Sequence, residues 1–250
     1  MAEAITRKQR ELKVRHELIL DVAARLIAEH GFANLGMDRI AEAMEYSKGT
    51  IYQHFQCKEE VLMQLCMRGL RIWGEFFDRA LAFRGNSRER LQAFHLGHDY
   101  YARLYPVEYE ASYTVKSAGV RDKISADNHA AHNALLKEVL DRVVVVVDEA
   151  IAAGDLSLPR DMRPQDLVYG FWAVHYGELM MENYNFGYGA MGIGNRESTV
   201  RTVLRALLDG LGWRPLSSQH DFAAVAERIG REVFPQEVAR LAGREGEQAS

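Results

Sequence analysis

Apolar residues recur three and four positions apart along most of the chain, which is the spacing of one face of an α-helix. Leu18, Val22 and Leu26 belong to the first such run, and Gly31 follows it where a helix C-cap would stand. No segment alternates strictly between apolar and polar residues, so the pattern predicts no strand. Even Val143–Val147, which has strand propensity, lies inside a longer helical pattern. The sequence therefore predicts an all-α protein.

Local signals mark where the predicted helices begin and end. Asn86 can cap a helix with Glu89 three residues on, Pro106 and Pro164 stand where first helical residues would, and Gly154 ends a long run. Helices are predicted up to Gly31 and then over 38–44, 47–55, about 58–81, 87–105, a shorter segment from 106, 124–153, 164–184, 197–211 and about 222–233, before a polar tail.

Composition is that of an ordinary globular protein, with 48% hydrophobic and 26% charged residues in a chain of 250. The two cysteines imply no disulfide framework, and Val143–Val147 is far too short to span a bilayer. The N-terminus has no apolar segment typical of a signal peptide. We therefore expect a cytoplasmic protein that does not associate with membranes.

Basic charge is concentrated near the N-terminus, although the net charge is −4. One acid, Glu11, stands between Thr6 and His16 among five basic residues, which are Arg7, Lys8, Arg10, Lys13 and Arg15. Such a segment can bind phosphates, or it can be the solvated start of a helix. The charge alone leaves both interpretations open.

The stretch "EYSKGTIYQHFQCKEE", residues 45–60, crowds small, basic and aromatic residues after a short helix and a tight turn. Helix, turn, helix is how a chain presents one helix to the DNA major groove, where the N-terminal residues of that helix contact base edges. Gly49 would let the backbone approach the duplex, while Ile51 and Phe55 face inward. The predicted DNA-binding residues are Arg39, Ser47, Lys48, Gly49, Thr50, Tyr52, Gln53, His54 and Lys58.

At these residues the chain resembles a known family. "IAEAMEYSKGTIYQHFQCKEEVL", from Ile40 to Leu62, resembles the helix-turn-helix signature of TetR-type (TetR/AcrR) transcriptional regulators. Two positions depart from that pattern: Glu45 stands where a turn glycine is usual, and Gly36 where a threonine is usual. A non-glycine residue in a left-handed conformation costs about 1 kcal/mol or more. Asp38 can replace the threonine as a helix cap.

The resemblance implies the organisation of the chain. An N-terminal three-helix helix-turn-helix domain, 1–60, is followed by a larger helical domain for effector binding and dimerisation, 61–215, and then by an extra amphipathic helix and polar tail, 216–250. It also implies a homodimer that binds a pseudo-palindromic double-stranded DNA operator, most often as a repressor, and releases it when an effector binds. The protein is then not an enzyme.

A homodimer interface is also suggested by an apolar stripe on the helix predicted at 197–211. The resemblance implies that this helix and the helix at 164–184 form a four-helix interface with a second copy. The extra helix around 222–233 could cover the same stripe instead. The residues of the stripe are Val200, Val203, Leu204, Leu207, Leu208 and Leu211.

Histidines recur in i, i+3 pairs on the apolar faces of three predicted helices of the second domain. The resemblance places those helices around the effector site. Imidazole and carboxylate are ligands for transition metals, so iron or zinc is one expected effector and a small organic molecule is the other. The candidate metal ligands are His95, His98, His129, His132, His175 and Glu178, with Glu182 as a further candidate.

Two other classes of function remain open from the sequence. One is a metal-carboxylate helical enzyme tethered to DNA, and the other is an architectural DNA-binding protein without an effector. The segment "GYGAMG" at Gly187–Gly192 matches a dinucleotide fingerprint in letters, but that site needs a strand before it. A helix is predicted there, so we expect an interhelical loop.

Overall fold

The computed structural model describes residues 6–183, 187–194 and 196–248, in which the chain forms α-helices and 3-10 turns and no strand. The all-α prediction is therefore confirmed. The helices are α1 (Arg7–His30), α2 (Met37–Ala43), α3 (Lys48–Tyr52), α4 (Lys58–Leu81), α5 (Ser87–Leu104), α6 (Pro106–Thr114), α7 (Ala118–Arg121), α8 (Ala126–Ala152), α9 (Pro164–Asn183), α10 (Arg196–Gly210), α11 (Phe222–Glu232) and α12 (Pro235–Gln248).

Several helix ends lie where local signals predicted them. Gly31 has a φ of 75° and Gly154 a φ of 77°, a backbone region in which glycine meets no side-chain penalty. Before α5, the amide of Glu89 donates to Asn86 Oδ1 and the amide of Asn86 donates to Glu89 Oε2, both at 3.0 Å. This reciprocal capping satisfies two donors that the helix leaves unpaired. Pro106 is the first residue of α6.

The structure differs from the sequence prediction in three elements. Helix α3 is shorter than predicted: it begins after its N-cap, Ser47, and ends at Tyr52 rather than at Phe55. Helix α7 is an additional short helix. The predicted polar tail is wrong, because Pro235–Gln248 forms helix α12. Val238 and Leu241 are too few to make that helix visible as an apolar stripe.

Contacts between residues divide the chain into two compact units rather than into consecutive segments. Unit 1 comprises Met1–Trp73 and Tyr101–Lys137, and unit 2 comprises Gly74–Tyr100 and Glu138–Ser250. The division cuts through α4, α5 and α8, whereas the segments predicted from the sequence change at residues 60 and 215. Those segments remain a prediction, because they divide the chain by expected function, whereas the two units divide it by contacts between residues.

Unit 1 has a core in which the first four helices pack with α6 and the segment after it. Ile19, Ile40, Ile51 and Val61 are fully buried, each from a different helix. Burying such side chains stabilises the fold by about 1.5–3 kcal/mol each. The core thus fixes α2 and α3 on the long helices α1 and α4.

Unit 2 encloses its own core, to which the C-terminal helices contribute. Phe234 is fully buried, stacks with Phe76 at 5.6 Å between ring centroids, and lies so close to Gly97 that an added Cβ would be 3.0 Å from the ring. Arg79 joins Glu237 through two hydrogen bonds of 3.1 and 2.8 Å. Residues 222–248 are therefore an integral part of unit 2.

In the described ranges no helix is long and apolar enough to cross a membrane. The predicted helical state of Val143–Val147 is confirmed, since the segment lies within α8 and Val146 and Val147 are fully buried. "GYGAMG" forms a 3-10 turn over Tyr188–Met191, and the described residues around it contain no strand.

Candidate DNA-binding site and histidine cluster

Helix α3 projects a polar surface from unit 1. Its apolar side is anchored by Ile51, which is fully buried, and by Phe55, which is 3% exposed, as the sequence predicted. Tyr52 on the other side is 51% exposed. Ser47, Lys48, Gly49 and Gln53 are exposed, and Thr50 is half-buried. The predicted set thus lies mostly on one accessible face.

The start of α3 is held by hydrogen bonds between its own residues. Ser47 Oγ accepts from the amide of Thr50 at 3.1 Å, and the hydroxyls of the two residues lie 2.8 Å apart. An N-cap of this kind satisfies a helix amide and stabilises a helix by about 1 kcal/mol. Because α3 has five residues, this cap matters for keeping it helical.

Gly49 is not required by packing inside the protein. A Cβ built at this position would meet only Ser47 Oγ, at 3.8 Å, which is ordinary van der Waals contact. Its φ is not in the left-handed region either. A glycine in an exposed helix costs stability relative to alanine, so its presence favours a close approach by something outside the chain.

The turn before α3 contains the strained residue that the sequence predicted. Glu45 has a φ of 55° and is the one non-glycine residue with positive φ in the described chain. The amide of the next residue, Tyr46, donates to the carbonyl of Ala41 at 2.9 Å, which closes the turn. The helix-turn-helix geometry is therefore kept without the usual glycine.

Asp38 does not cap α2. Gly36 is the N-cap and has no side chain for the purpose, while Asp38 lies in the first turn. Its Oδ2 instead accepts a hydrogen bond from Lys48 Nζ at 2.6 Å, which raises the pKa of the Lys48 ammonium. The predicted capping role is wrong, because the ammonium of α3 occupies the carboxylate.

Lys58 has a role inside the protein. Its Nζ donates to the carbonyls of Ala33 at 3.1 Å and Phe32 at 3.4 Å, and it lies 4.9 Å from the Phe32 ring centroid. These contacts tie the start of α4 to the loop after α1. Arg39 likewise donates to the carbonyl of Asn34 at 3.2 Å while remaining exposed. Both side chains are positioned by the same loop.

His54 turns one edge of its ring into the protein. Its Nε2 is buried and has no hydrogen-bond partner in the described chain, so the predicted phosphate contact would use Nδ1. His16 of α1 stacks on Phe55 at 4.5 Å and lies 6.1 Å from the His54 ring. Burial lowers the pKa of both imidazoles, which favours their neutral forms.

Ion pairs within unit 1 join α4 to α1 and α6. Arg68 of α4 donates to Asp21 of α1 at 2.6 Å and to Glu108 of α6 at 2.7 Å. Glu108 is only 7% exposed, so removing Arg68 would leave a buried charge without its partner. Sequence periodicity gave no signal for this chain of contacts, because its members are 40 and 47 residues apart.

Glu60 provides a second link within unit 1. It accepts a hydrogen bond from the amide of Ser125 at 2.8 Å and another from the side chain of Asn128. Gln64, one turn further along α4, donates to Asn128 Oδ1 at 3.0 Å. The start of α4 is therefore bonded to the start of α8.

Three of the predicted metal ligands come together in unit 2. His95 Nδ1 of α5 lies 3.4 Å from His175 Nε2 of α9, and the His98 ring centroid is 5.4 Å from that of His175. Burial, followed by the neighbouring imidazole and arginines, lowers the pKa of His95 to about 3. Burial lowers the pKa of His175 to about 4. These histidines are neutral at physiological pH.

The other histidines of the predicted set belong to unit 1 and have partners there. His129 Nε2 donates to the carbonyl of Arg121 at 2.9 Å, and His132 Nδ1 lies 3.2 Å from Asn133 Oδ1. Glu178 lies on α9, half-buried, and the side chain of Glu182 is outside the described part of the chain.

The described side chains do not support the predicted seven-residue metal site, which stays a prediction because Glu182 lies outside them. Among them, no group of three or more His, Cys, Asp or Glu residues could hold a metal ion. The i, i+3 spacing determines which face of a helix each pair occupies, but it does not determine which helices meet.

Helix α3 is short and exposed, follows α2 after a tight turn, and rests on the long helices α1 and α4. This arrangement defines a helix-turn-helix protein. Residues 19–65 match the model of the bacterial regulatory proteins of the tetR family. The resemblance seen in the sequence is confirmed: the chain carries a TetR-type helix-turn-helix domain.

Known relatives match this domain, and solved structures match the fold. The chain is 38% identical over 55 residues to the HTH-type transcriptional repressor AcnR of Corynebacterium diphtheriae, a match that covers 22% of this chain and 29% of the relative. The match thus spans less than a third of that relative. A TetR/AcrR family regulator from Thermobifida fusca is 22% identical, with a TM-score of 0.57 over 78% of this chain and 97% of the other.

PfmR, a TetR family regulator from Thermus thermophilus, gives a similar result. It is 20% identical, with a TM-score of 0.54 over 74% of this chain and 93% of the other. At these identities the structural likeness shows the fold alone. It extends the agreement beyond the matched 19–65 segment to the helical remainder.

Proposed function

We propose that the protein is a transcriptional repressor that binds a pseudo-palindromic DNA operator as a homodimer. The observation that carries the proposal is the exposed face of α3, which presents Lys48, Tyr52 and Gln53 beside an unobstructed Gly49. A helix presented in this way fits the DNA major groove. The relative AcnR is named a transcriptional repressor, which supports repression rather than activation.

The basic start of α1 supplies further charge for phosphate contacts. Lys8, Arg10 and Lys13 are exposed on that helix, and Thr6 caps it by accepting from the amide of Gln9 at 3.2 Å. The segment is thus an ordered helix with a charged surface. Contacts to phosphates would hold the protein on DNA without selecting a sequence.

Homodimerisation is supported by the apolar stripe of α10. Leu204 and Leu208 are buried within the chain, whereas Val203 is 55% and Leu207 is 44% exposed. Helix α11 does not cover these two residues. An exposed apolar face on α10 fits an isologous contact with a second copy, and a two-fold dimer matches the symmetry of a palindromic operator.

We propose that binding of an effector regulates binding to DNA. An effector that binds one arrangement of the helices better than another shifts the population toward it. Arg68 of α4 joins Asp21 of α1 to Glu108 of α6. Glu60, at the start of α4, accepts from the amide of Ser125 just before α8. Movement of those helices would therefore be transmitted to α4 and change the spacing of the two α3 helices in a dimer.

In the experiment, operator DNA from the region upstream of the gene that encodes this protein is titrated at fixed salt with wild type, Tyr52→Phe and Tyr52→Ala. Loss of a phosphate contact should weaken binding about tenfold or more in Tyr52→Ala. Because Tyr52 is half-exposed, the thermal unfolding midpoint should stay close to that of wild type. Unchanged affinity in Tyr52→Ala would reject the assignment of α3 as the DNA-binding element.

A further inference from the structure

Arg205 of α10 is a partly buried cation without a carboxylate partner in the described chain. Its guanidinium carbon lies 3.8 Å from the ring centroid of Phe222, so the cation lies over an aromatic face. The acid one turn further on, Asp209, accepts hydrogen bonds from Arg88 at 3.1 Å and from the amide of Ser217 at 3.0 Å. Arg205 is thus positioned but not neutralised.

Other cations surround Arg205. Arg201 lies one turn before it on the same face of α10, and like charges at this spacing repel. Burial and the charges of Arg201 and Arg88 lower the pKa of Arg205. Positive charge is therefore concentrated around the Arg205 guanidinium, which has no carboxylate partner among the described residues.

Contacts of Phe222, whose ring lies under Arg205, lead toward the histidine cluster. Gln92 of α5 donates through Nε2 to the carbonyl of Phe222 at 2.7 Å, and its Oε1 lies 3.1 Å from His220 Nε2. His95 follows Gln92 by one helical turn, on the same face of α5. The charges of both Arg201 and Arg205 act on His95 and contribute to its lowered pKa.

In either tautomer, the pair of His95 and His175 keeps one N–H outside the contact between the two rings. If His95 Nδ1 donates across the 3.4 Å contact, His175 keeps its proton on Nδ1; if His175 Nε2 donates, His95 keeps its proton on Nε2. In the part of the chain that the structure describes, neither residue forms a second hydrogen bond. The imidazole pair thus keeps one N–H that forms no hydrogen bond within the described chain.

We propose that His95, His175 and Arg205 form a binding site for the carboxylate of a small organic acid. The Arg205 fork matches the two oxygens of a carboxylate, and the imidazole pair donates a further hydrogen bond. The ring of Phe222, over which the Arg205 guanidinium lies, gives the site an apolar wall. It favours an acid with an apolar body over inorganic phosphate.

The assignment rests on the proposed function in one respect, which is that the acid would be the effector. Binding itself does not depend on DNA. The direct experiment is calorimetric titration of the full-length protein with octanoate, with octanamide as a probe of equal length and no charge. Octanoate should saturate one site per protomer and bind about tenfold or more tightly than octanamide.

Variants assign the binding to the proposed residues. Arg205→Gln should weaken octanoate binding about tenfold and leave octanamide binding unchanged, and Arg205→Lys should retain part of the preference. His95→Gln/His175→Gln should weaken octanoate binding as well. Arg228→Gln is the matched control, because Arg228 also lies over a phenylalanine ring, at 4.7 Å from Phe83, and should bind as wild type.

Three results would overturn the proposal: no saturable octanoate binding, equal binding of octanoate and octanamide, or wild-type affinity in Arg205→Gln. Inorganic phosphate that binds with Arg205 dependence while octanoate does not would also overturn it, in favour of a phosphate site. Operator binding is measured separately without any acid. Its failure would reject the regulator function while leaving the carboxylate result standing, so the two failures are distinguishable.

Discussion

The ammonium of Lys48 donates a hydrogen bond to the carboxylate of Asp38, with 2.6 Å between Nζ and Oδ2. Both side chains are largely exposed, at 66% and 62%. The pair joins the first turn of α2 to the first turn of α3. A lysine that is to contact a phosphate would have to leave this carboxylate or share it, so Asp38 opposes DNA binding by its charge.

Replacing Asp38 with asparagine should therefore strengthen binding to DNA. Removing one negative charge from this face and releasing Lys48 should increase duplex affinity about threefold to tenfold at low salt, for operator and unrelated sequences alike. Fluorescence anisotropy with both duplexes measures the change. Asp166→Asn is the control and should leave affinity unchanged, because it removes a carboxylate of α9 from an exposed pair with Arg163.

A second prediction concerns Gly49. Gly49→Ala should stabilise the protein by about 0.5–1 kcal/mol, because alanine loses less backbone entropy in a helix and meets no clash here. The same methyl group should hinder the approach of DNA and weaken operator binding about tenfold. Chemical denaturation and DNA titration of one preparation test both effects.

Gly119→Ala in α7 is the matched control for this substitution, since a Cβ there would meet nothing within 4 Å. It should show the stabilisation without the loss of DNA binding. If Gly49→Ala binds the operator as tightly as Gly119→Ala does, the glycine does not face DNA.

The exposed residues of α10 give a prediction about assembly. Val203→Glu/Leu207→Glu should convert the protein to a monomer at micromolar concentration, because burying two carboxylates in an apolar contact is costly. Sedimentation equilibrium measures the mass. Val145→Glu, at a similarly exposed valine of α8, should remain dimeric. A wild-type protein that sediments as a monomer would contradict the proposed interface.

The buried histidines make stability depend on pH. In the unfolded chain, His95 and His175 bind protons below about pH 6.5. In the folded protein, His95 binds a proton only near pH 3 and His175 only near pH 4, because their pKa values are lowered to about 3 and about 4. Because the folded-state pKa values of these bases are lowered, the neutral histidines cost no stability above about pH 6.5. The free energy of unfolding decreases as the pH falls below that value. The loss approaches about 1.4 kcal/mol per pH unit for each histidine.

Urea unfolding between pH 7.5 and 5 tests this dependence. The free energy of unfolding of wild type should fall with pH in that range, and the slope should be shallower in His95→Gln/His175→Gln. His30→Gln, at the exposed end of α1, should keep the wild-type slope. Equal slopes in all three proteins would show that the buried imidazoles do not cause the pH dependence.

The sequence predicted those parts of the fold that depend on local signals. Gly31, Asn86 and Gly154 act on the backbone within a few residues, and the structure confirms each of them. Helix α12 was missed because its stability comes from contacts distant in sequence. Its Glu237 pairs with Arg79, 158 residues away, and such a contact leaves no periodic pattern.

The candidate sites were predictable to different extents. The face of α3 is encoded in one continuous segment, so its inward Ile51 and outward Tyr52 were both assigned correctly. The meeting of His95 with His175 depends on which helices pack together, and residue spacing does not determine that. Arg201 and Arg205, four positions apart in the sequence, are a visible signal of a positively charged face on α10.

The measurement that tests the central claim most directly is selection of bound sequences from a random duplex library by wild type and by Lys48→Ala/Tyr52→Ala. The account predicts that wild type enriches a pseudo-palindromic motif whose half-sites are spaced by about one helical turn of DNA or a multiple of it. The folded double variant should enrich none. Failure of wild type to enrich any motif, or recovery of the same motif by the double variant, would contradict DNA recognition by α3.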